Sequence, residues 1–62
     1  MKRKITAENI VLNGGWPRFC ELRNIDLWAI TEGKLDVNYE FELEEWEVKE
    51  LKESAGVFWK LD

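Results

Sequence analysis

The chain has 62 residues and a formal net charge of −4, so we expect one acidic domain, residues 1–62, near the lower size limit for unaided folding. Its single cysteine excludes an internal disulfide, and the absence of histidine removes the usual ligands of zinc and haem. No catalytic base accompanies the cysteine or the serine, and no glycine-rich phosphate loop is present. We therefore expect no enzyme, no metal and no cofactor.

The composition also predicts a location for the protein. One free cysteine is typical of a reducing compartment, and the basic start Lys2-Arg3-Lys4 is not followed by the apolar run of a secretion signal. The longest apolar run, residues 27–30, is far shorter than the roughly 20 residues that span a bilayer. We expect a cytoplasmic protein that does not enter a membrane.

A short helix is predicted near the N-terminus, over residues 6–13. Thr6 is a suitable N-cap, because its hydroxyl can accept a hydrogen bond from a backbone N–H of the first turn. Gly14 and Gly15 supply the end of the helix, since glycine accepts the left-handed conformation in which helices often stop. A strand over residues 5–12 is the alternative.

An antiparallel hairpin is predicted after this helix. Trp16-Pro17 indicates a corner, because proline has no N–H and restricts the preceding residue to extended geometry. Residues 19–30 then favour a strand that is apolar on both faces or interrupted by a bulge. A turn at Gly33, where a positive φ is expected, leads into a second strand over residues 35–44.

The strand over residues 35–44 has the clearest pattern in the chain. Apolar and polar side chains alternate strictly, which is typical of a strand with one buried face and one face in water. The apolar residues are Val37, Tyr39, Phe41 and Leu43, and the polar ones are Asp36, Asn38, Glu40, Glu42 and Glu44.

The C-terminal third permits two folds. Residues 46–51 favour a strand, on which Trp46 and Val48 share a face, and a helix over residues 45–53 is the alternative. The short aromatic segment 57–61 is predicted to be a final strand. The predicted class is α+β: a short N-terminal helix and an antiparallel sheet of three to four strands in a meander, with a ββαβ arrangement as the alternative.

One segment resembles a known family. The residues that carry the resemblance are Trp16-Pro17-Arg18-Phe19, followed by Glu21, Ile25 and Leu27. They are similar to the W-P-x-F opening of the bacterial immunity protein 50 family, although the usual His-Asp after the phenylalanine is Cys20-Glu21 here. The resemblance implies a strand after this opening, and a cytoplasmic protein that binds and neutralises a toxin enzyme.

Acidic side chains are concentrated in one block of the chain. Residues 1–35 hold six basic and four acidic side chains, whereas residues 36–53 hold eight acidic and two basic ones. Alternate residues of a strand project from one face at intervals of about 6.6 Å, roughly twice the ~3.4 Å spacing of phosphates along one DNA strand. The candidate partner-binding residues are Asp36, Glu40, Glu42, Glu44, Glu45, Trp46 and Glu47.

This acidic strip predicts a basic protein as partner. A small acidic protein can occupy the basic groove of a nucleic-acid-processing enzyme, as a nucleic-acid mimic does. The size and charge of the chain resemble those of phage anti-defence inhibitors, anti-CRISPR proteins among them. An immunity-type protein that neutralises a bacterial toxin is the alternative. A solvated outer sheet face with no partner is equally compatible with the sequence.

Two further interactions follow from the composition. A basic, aromatic N-terminal region suggests a nucleic-acid-binding module as a second alternative, but the negative net charge opposes direct binding of nucleic acid. Its members are Lys2, Arg3, Lys4, Trp16, Arg18 and Arg23. Four tryptophans in so short a chain exceed what one small core can bury, so we expect a homodimer with Trp28 or Trp59 between the subunits.

Overall fold

The computed structural model describes residues 2–61, which form two strands, three α-helices and one 3₁₀ turn. In chain order these are β1 (Arg3–Thr6), α1 (Ala7–Leu12), α2 (Trp16–Arg23), β2 (Glu40–Leu43), α3 (Glu45–Ala55) and the 3₁₀ turn Gly56–Phe58. This combination agrees with the predicted α+β class. The prediction of three to four strands is wrong for residues 2–61, because their sheet consists of β1 and β2 alone.

The N-terminal helix is confirmed as α1. The Thr6 hydroxyl accepts a hydrogen bond from the Asn9 backbone N–H at 3.2 Å, which makes Thr6 the N-cap. At the other end, the Asn13 side-chain amide donates to the Asn9 carbonyl oxygen at 2.7 Å. Ala7 and Ile10, three residues apart, face the core.

Helix α2 stands where the sequence predicted a corner and a strand. Pro17 lies in its first turn, where the missing N–H has no partner to lose. Trp16, Phe19 and Cys20 are buried at i, i+3 and i+4 spacing, which is the periodicity of a helix and not of a strand. Asn24, in the left-handed conformation, ends the helix. The predicted strand over residues 19–30 is therefore wrong.

Residues 24–39 connect α2 to β2 through consecutive turns, so the predicted hairpin is wrong as well. Backbone hydrogen bonds hold these turns, among them Glu32 N–H to the Trp28 carbonyl at 2.8 Å and Lys34 N–H to the Ala29 carbonyl at 2.9 Å. Gly33 has the expected positive φ, 76°, although its turn joins no strands.

The sheet is antiparallel and short. Ile5 lies opposite Phe41 and Lys4 opposite Glu42, so β2 pairs with the N-terminal strand and not with residues 19–30. Of the predicted strand over 35–44, only Glu40–Leu43 is a strand. Within it the alternation holds: Leu43 is buried, whereas Glu40 and Glu42 are exposed.

Helix α3 replaces the strand predicted for residues 46–51 and agrees with the helical alternative. Glu44 and Glu47 form a capping box: each side chain accepts a hydrogen bond from the other residue's backbone N–H. Gly56, with a φ of 62°, ends the helix. The strand predicted for residues 57–61 is wrong, because this segment contains the end of a 3₁₀ turn and irregular chain.

The core lies between the inner face of the sheet and the three helices. Phe19 of α2 packs edge-on against Phe41 of β2, with ring centroids 4.8 Å apart. A methyl group on Gly15 would stand 3.0 Å from the Trp59 ring, so the C-terminal tryptophan closes the core against this glycine. The buried core residues are Ile5, Ala7, Ile10, Trp16, Phe19, Cys20, Leu43, Leu51, Ala55 and Trp59.

Candidate protein-binding surface

The outer face of the sheet presents two of the predicted acidic residues to solvent. Glu40 and Glu42 are exposed on β2, on the side away from buried Leu43. Within residues 2–61 neither carboxylate forms an ion pair. Lys4 is the cross-strand neighbour of Glu42, and Thr6 that of Glu40. The strip of regularly spaced acids is thus reduced to two carboxylates, one of them facing a lysine.

Asp36 does not belong to this face. Its carboxylate accepts a hydrogen bond from the Asn38 backbone N–H at 2.9 Å, which forms an Asx turn before β2 begins. The strict alternation of residues 36–44 predicted one continuous strand. Asp36 and Asn38 form a turn instead, so the strand begins only at Glu40.

Glu47 is not part of an exposed surface either. Its side chain is only 6% exposed and receives two hydrogen bonds from the Arg23 guanidinium, at 2.6 and 2.9 Å. These hydrogen bonds are the main reason that the pKa of Glu47 is lowered, and the same contact raises the pKa of Arg23. The Arg23 side chain also donates to the Glu42 carbonyl and lies 5.2 Å from the centre of the Phe19 ring. Glu47 therefore has a structural role.

Two more acidic residues are paired with bases from the first half of the chain. Arg18 of α2 donates to the Glu50 carboxylate of α3 at 2.6 Å, and this hydrogen bond is the main cause of its raised pKa. Lys2 lies 3.9 Å from Glu44, the N-cap of α3. The excess of positive charge in residues 1–35 is thus used in part to neutralise residues 36–53. Summing charges along the sequence does not reveal these pairs.

The three predicted aromatic residues differ in exposure. Trp46, in the first turn of α3 beside exposed Glu45, has 58% of its surface exposed. Trp28, in the turns after α2, is 61% exposed. Trp59 is buried within its own chain, and its indole N–H donates to the Leu61 carbonyl. Trp46 and Trp28 are therefore accessible to a partner, whereas Trp59 packs in the core.

The thiol of Cys20 is not a reactive surface group. The side chain is buried among core residues, and burial is the main cause of its raised pKa. A raised pKa keeps the thiol protonated, which makes it a poor nucleophile. Within residues 2–61, no three side chains are grouped as a metal site would require, and none of the helices has the length and apolarity to cross a bilayer.

No family model, curated protein or solved structure matches this chain. The resemblance to the immunity protein 50 family stays a prediction. In this chain the W-P-x-F opening is the first turn of α2 and the helix continues to Arg23, whereas the resemblance implied that a strand follows the opening.

Proposed function

We propose that this protein binds and inhibits a nucleic-acid-processing enzyme by placing the outer face of its sheet against a basic groove. The observation that carries the proposal is the exposure of Glu40 and Glu42 on one short, paired strand. Their separation, about 6.6 Å by strand geometry, brings two negative charges to roughly the distance between every second phosphate.

The internal ion pairs support this choice of surface. Arg18 and Arg23, the two arginines of α2, are engaged with Glu50 and Glu47 of α3. The sheet lies with its inner face on α2, so these arginines do not neutralise the outer face. Glu40 and Glu42 are thus left without an arginine partner on the outer face, where Lys4 stands opposite Glu42, in a chain whose net charge is −4.

Trp46 supplies an exposed apolar side chain a few residues after these acids in the chain. It follows Glu42 by four residues, and the first turn of α3 holds it in a position exposed to solvent. Tryptophan is enriched among the residues that dominate binding energy at protein interfaces. A partner surface with basic side chains around an apolar cleft fits the candidate site formed by Glu40, Glu42, Glu45 and Trp46.

A comparison of charge variants tests the proposal. We would immobilise the wild-type chain, the double variant Glu40→Gln/Glu42→Gln, and the control Glu21→Gln/Glu53→Gln. The control removes the same charge from exposed positions on α2 and α3. Bacterial proteins captured by each would be identified at low salt and at about 0.3 M salt, where surface electrostatics are screened. Purified captured enzymes would then be assayed for inhibition.

We expect a nucleic-acid-processing enzyme to be retained by the wild type and the control, and to be inhibited by both. Charged pairs at interfaces contribute about 1.5 kcal/mol or more each, so the double variant should bind roughly 100-fold more weakly. Equal binding by the double variant and the control at low salt would refute the proposed surface. Capture of a toxin enzyme would favour the immunity-type alternative.

The third possibility, a nucleic-acid-binding module, has less support. Two of its five basic residues, Arg18 and Arg23, are engaged in ion pairs, and Lys2 lies near Glu44. Gel-shift titration with single-stranded and duplex DNA and with RNA tests it directly. Binding that weakens steeply with salt and is lost in a Lys4→Gln variant would replace the proposal above.

A further inference from the structure

A large apolar face lies around the C-terminal end of α1. Val11, Leu27 and Trp28 line one open cavity of about 280 Å³, together with Trp16, Ile30 and Thr31, and none of these residues is charged. A methyl group on Gly14 would stand 3.2 Å from the Phe58 side chain, and the Gly14 N–H donates to the Val11 carbonyl at 3.1 Å, so the 3₁₀ turn lies beside the end of α1. We define the apolar face as Val11, Leu12, Leu27, Trp28, Val57 and Phe58.

The area of this face is that of a protein interface. Its four most exposed members, Leu12, Trp28, Val57 and Phe58, keep 61 to 85% of their surface in solvent. A fully buried aromatic side chain covers roughly 150–250 Å², and Trp28 and Phe58 each have more than half of their surface exposed. With the four aliphatic residues added, the apolar face offers on the order of 700 Å². Monomeric proteins rarely expose apolar patches above about 600 Å², and a standard interface takes about 800 Å² from each partner.

We infer that a second copy of this chain covers the apolar face in a two-fold symmetric dimer, with Phe58 of each subunit in the cavity beside Trp28 of the other. In such a dimer the same face must complement itself, so it needs both a protruding group and a recess. The apolar face has both: Phe58 is 69% exposed, and the cavity lined by Val11 and Trp28 is open to solvent.

The charge distribution favours a second copy over a charged partner. Two chains with a net charge of −4 repel each other, so they associate most easily where charge is absent. The lining of the cavity contains no charged side chain that would select a basic or acidic protein. The acidic residues of the proposed partner-binding surface lie on other elements, β2 and the first turn of α3.

The backbone of Trp28 is held in place before any contact forms. Its backbone N–H donates to the Asp26 carboxylate at 3.1 Å, and its carbonyl accepts from Glu32 N–H at 2.8 Å. The neighbouring Leu27 carbonyl accepts a hydrogen bond from the Trp16 indole at 3.0 Å. An anchor residue that is ordered in advance loses less conformational entropy on binding.

Sedimentation equilibrium over a range of concentrations tests the dimer, because the monomer mass is 7.4 kDa. The variants are Trp28→Asp and Phe58→Asp. The matched control is Trp46→Asp, which removes a tryptophan of nearly equal exposure, 58% against 61%, from α3. Circular dichroism melts of all four proteins would show whether each variant is folded.

We expect the wild type and Trp46→Asp to dimerise with similar affinity. Truncation of a hot-spot residue at an interface corresponds to a loss of about thirtyfold or more, so folded Trp28→Asp and Phe58→Asp should weaken dimerisation by at least that factor. A wild-type monomer at millimolar concentration would overturn the inference. So would a dimer that survives Trp28→Asp, or one that is lost only in Trp46→Asp. If one aspartate variant fails to fold, the milder Trp28→Ser and Phe58→Ser carry the same comparison.

Discussion

Two ion pairs of equal length join α2 to α3, and their different burial predicts different contributions to stability. Arg23–Glu47 and Arg18–Glu50 both have an N–O distance of 2.6 Å. The Glu47 side chain is 6% exposed and also accepts the Glu44 backbone N–H at 3.0 Å, whereas the Glu50 side chain is 37% exposed. We therefore expect Glu47→Ala to destabilise the fold far more than Glu50→Ala.

The expected free energies follow from the contacts. Breaking a fully buried pair costs about 3–5 kcal/mol, and because Arg23 is partly exposed and can regain water we expect about 2–3 kcal/mol for Glu47→Ala. An exposed pair contributes about 0.2–1 kcal/mol, which bounds the effect of Glu50→Ala. For a chain of 62 residues, whose total stability is roughly 3–9 kcal/mol, the first loss is a large fraction.

Urea denaturation measures both losses, with far-UV circular dichroism and tryptophan fluorescence as independent probes. The linear dependence of the free energy on urea should keep its slope, since neither variant changes the area exposed on unfolding appreciably. A double-mutant cycle with Arg23→Ala isolates the interaction energy of the buried pair. Equal losses for Glu47→Ala and Glu50→Ala, or a coupling energy near zero, would refute the assignment of Glu47 to the core.

The remaining predictions concern pH and two glycines. The folded-state pKa of Glu47 is below its ordinary value of 4.5, so the contribution of Glu47 to folding stability is complete above pH 4.5 and is lost as the pH falls through the folded-state pKa. In the Glu47→Gln variant the melting temperature should therefore fall less steeply on acidification than in the wild type. Gly15→Ala should lower the free energy of unfolding, measured by urea denaturation, by about 1–3 kcal/mol, since the added methyl group would meet the Trp59 ring at 3.0 Å and Leu51 at 3.2 Å. Gly33→Val should lower the free energy of unfolding by roughly 1–2 kcal/mol because of the positive φ at this position, since no atom lies within 4 Å of the added Cβ. An unchanged melting temperature would contradict this expectation.

Local chemistry predicted α1 correctly, because a hydroxyl N-cap and a glycine stop act within a few residues. The extent of β2 was not predictable in the same way. Alternation in residues 35–44 shows that a strand is possible, but a strand also needs a partner of matching length. That partner is β1, only four residues long and more than thirty residues away along the chain. Beyond it, residues 36–39 use their polar groups in turns.

The sequence of α2 contains a helical signal that the strand prediction for residues 19–30 does not use. Trp16, Phe19, Cys20 and Arg23 recur at helical spacing, and Pro17 is compatible with a first helical turn as well as with a corner. Helix α3 was harder to recognise, because a carboxylate stands at a core position. The buried side of α3 is Glu47, Leu51 and Ala55, so a search for apolar periodicity finds an interrupted stripe. The distant guanidinium of Arg23 and the Glu44 backbone N–H together make this glutamate acceptable in the interior.

The position of the ion pairs changes how the acidic block should be interpreted. Arg18, the earlier arginine of α2, pairs with Glu50, the later glutamate of α3, and Arg23 pairs with the earlier Glu47. The two ion pairs therefore hold α2 and α3 antiparallel. Part of the acidic block thus holds α3 against α2, and Glu44 caps the same helix. A variant that neutralises Glu44 or Glu47 would change folding together with binding. The question of function therefore concerns the carboxylates that the fold does not use, and Glu40 and Glu42 on the outer face of β2 are the pair at which it can be tested without disturbing the helices.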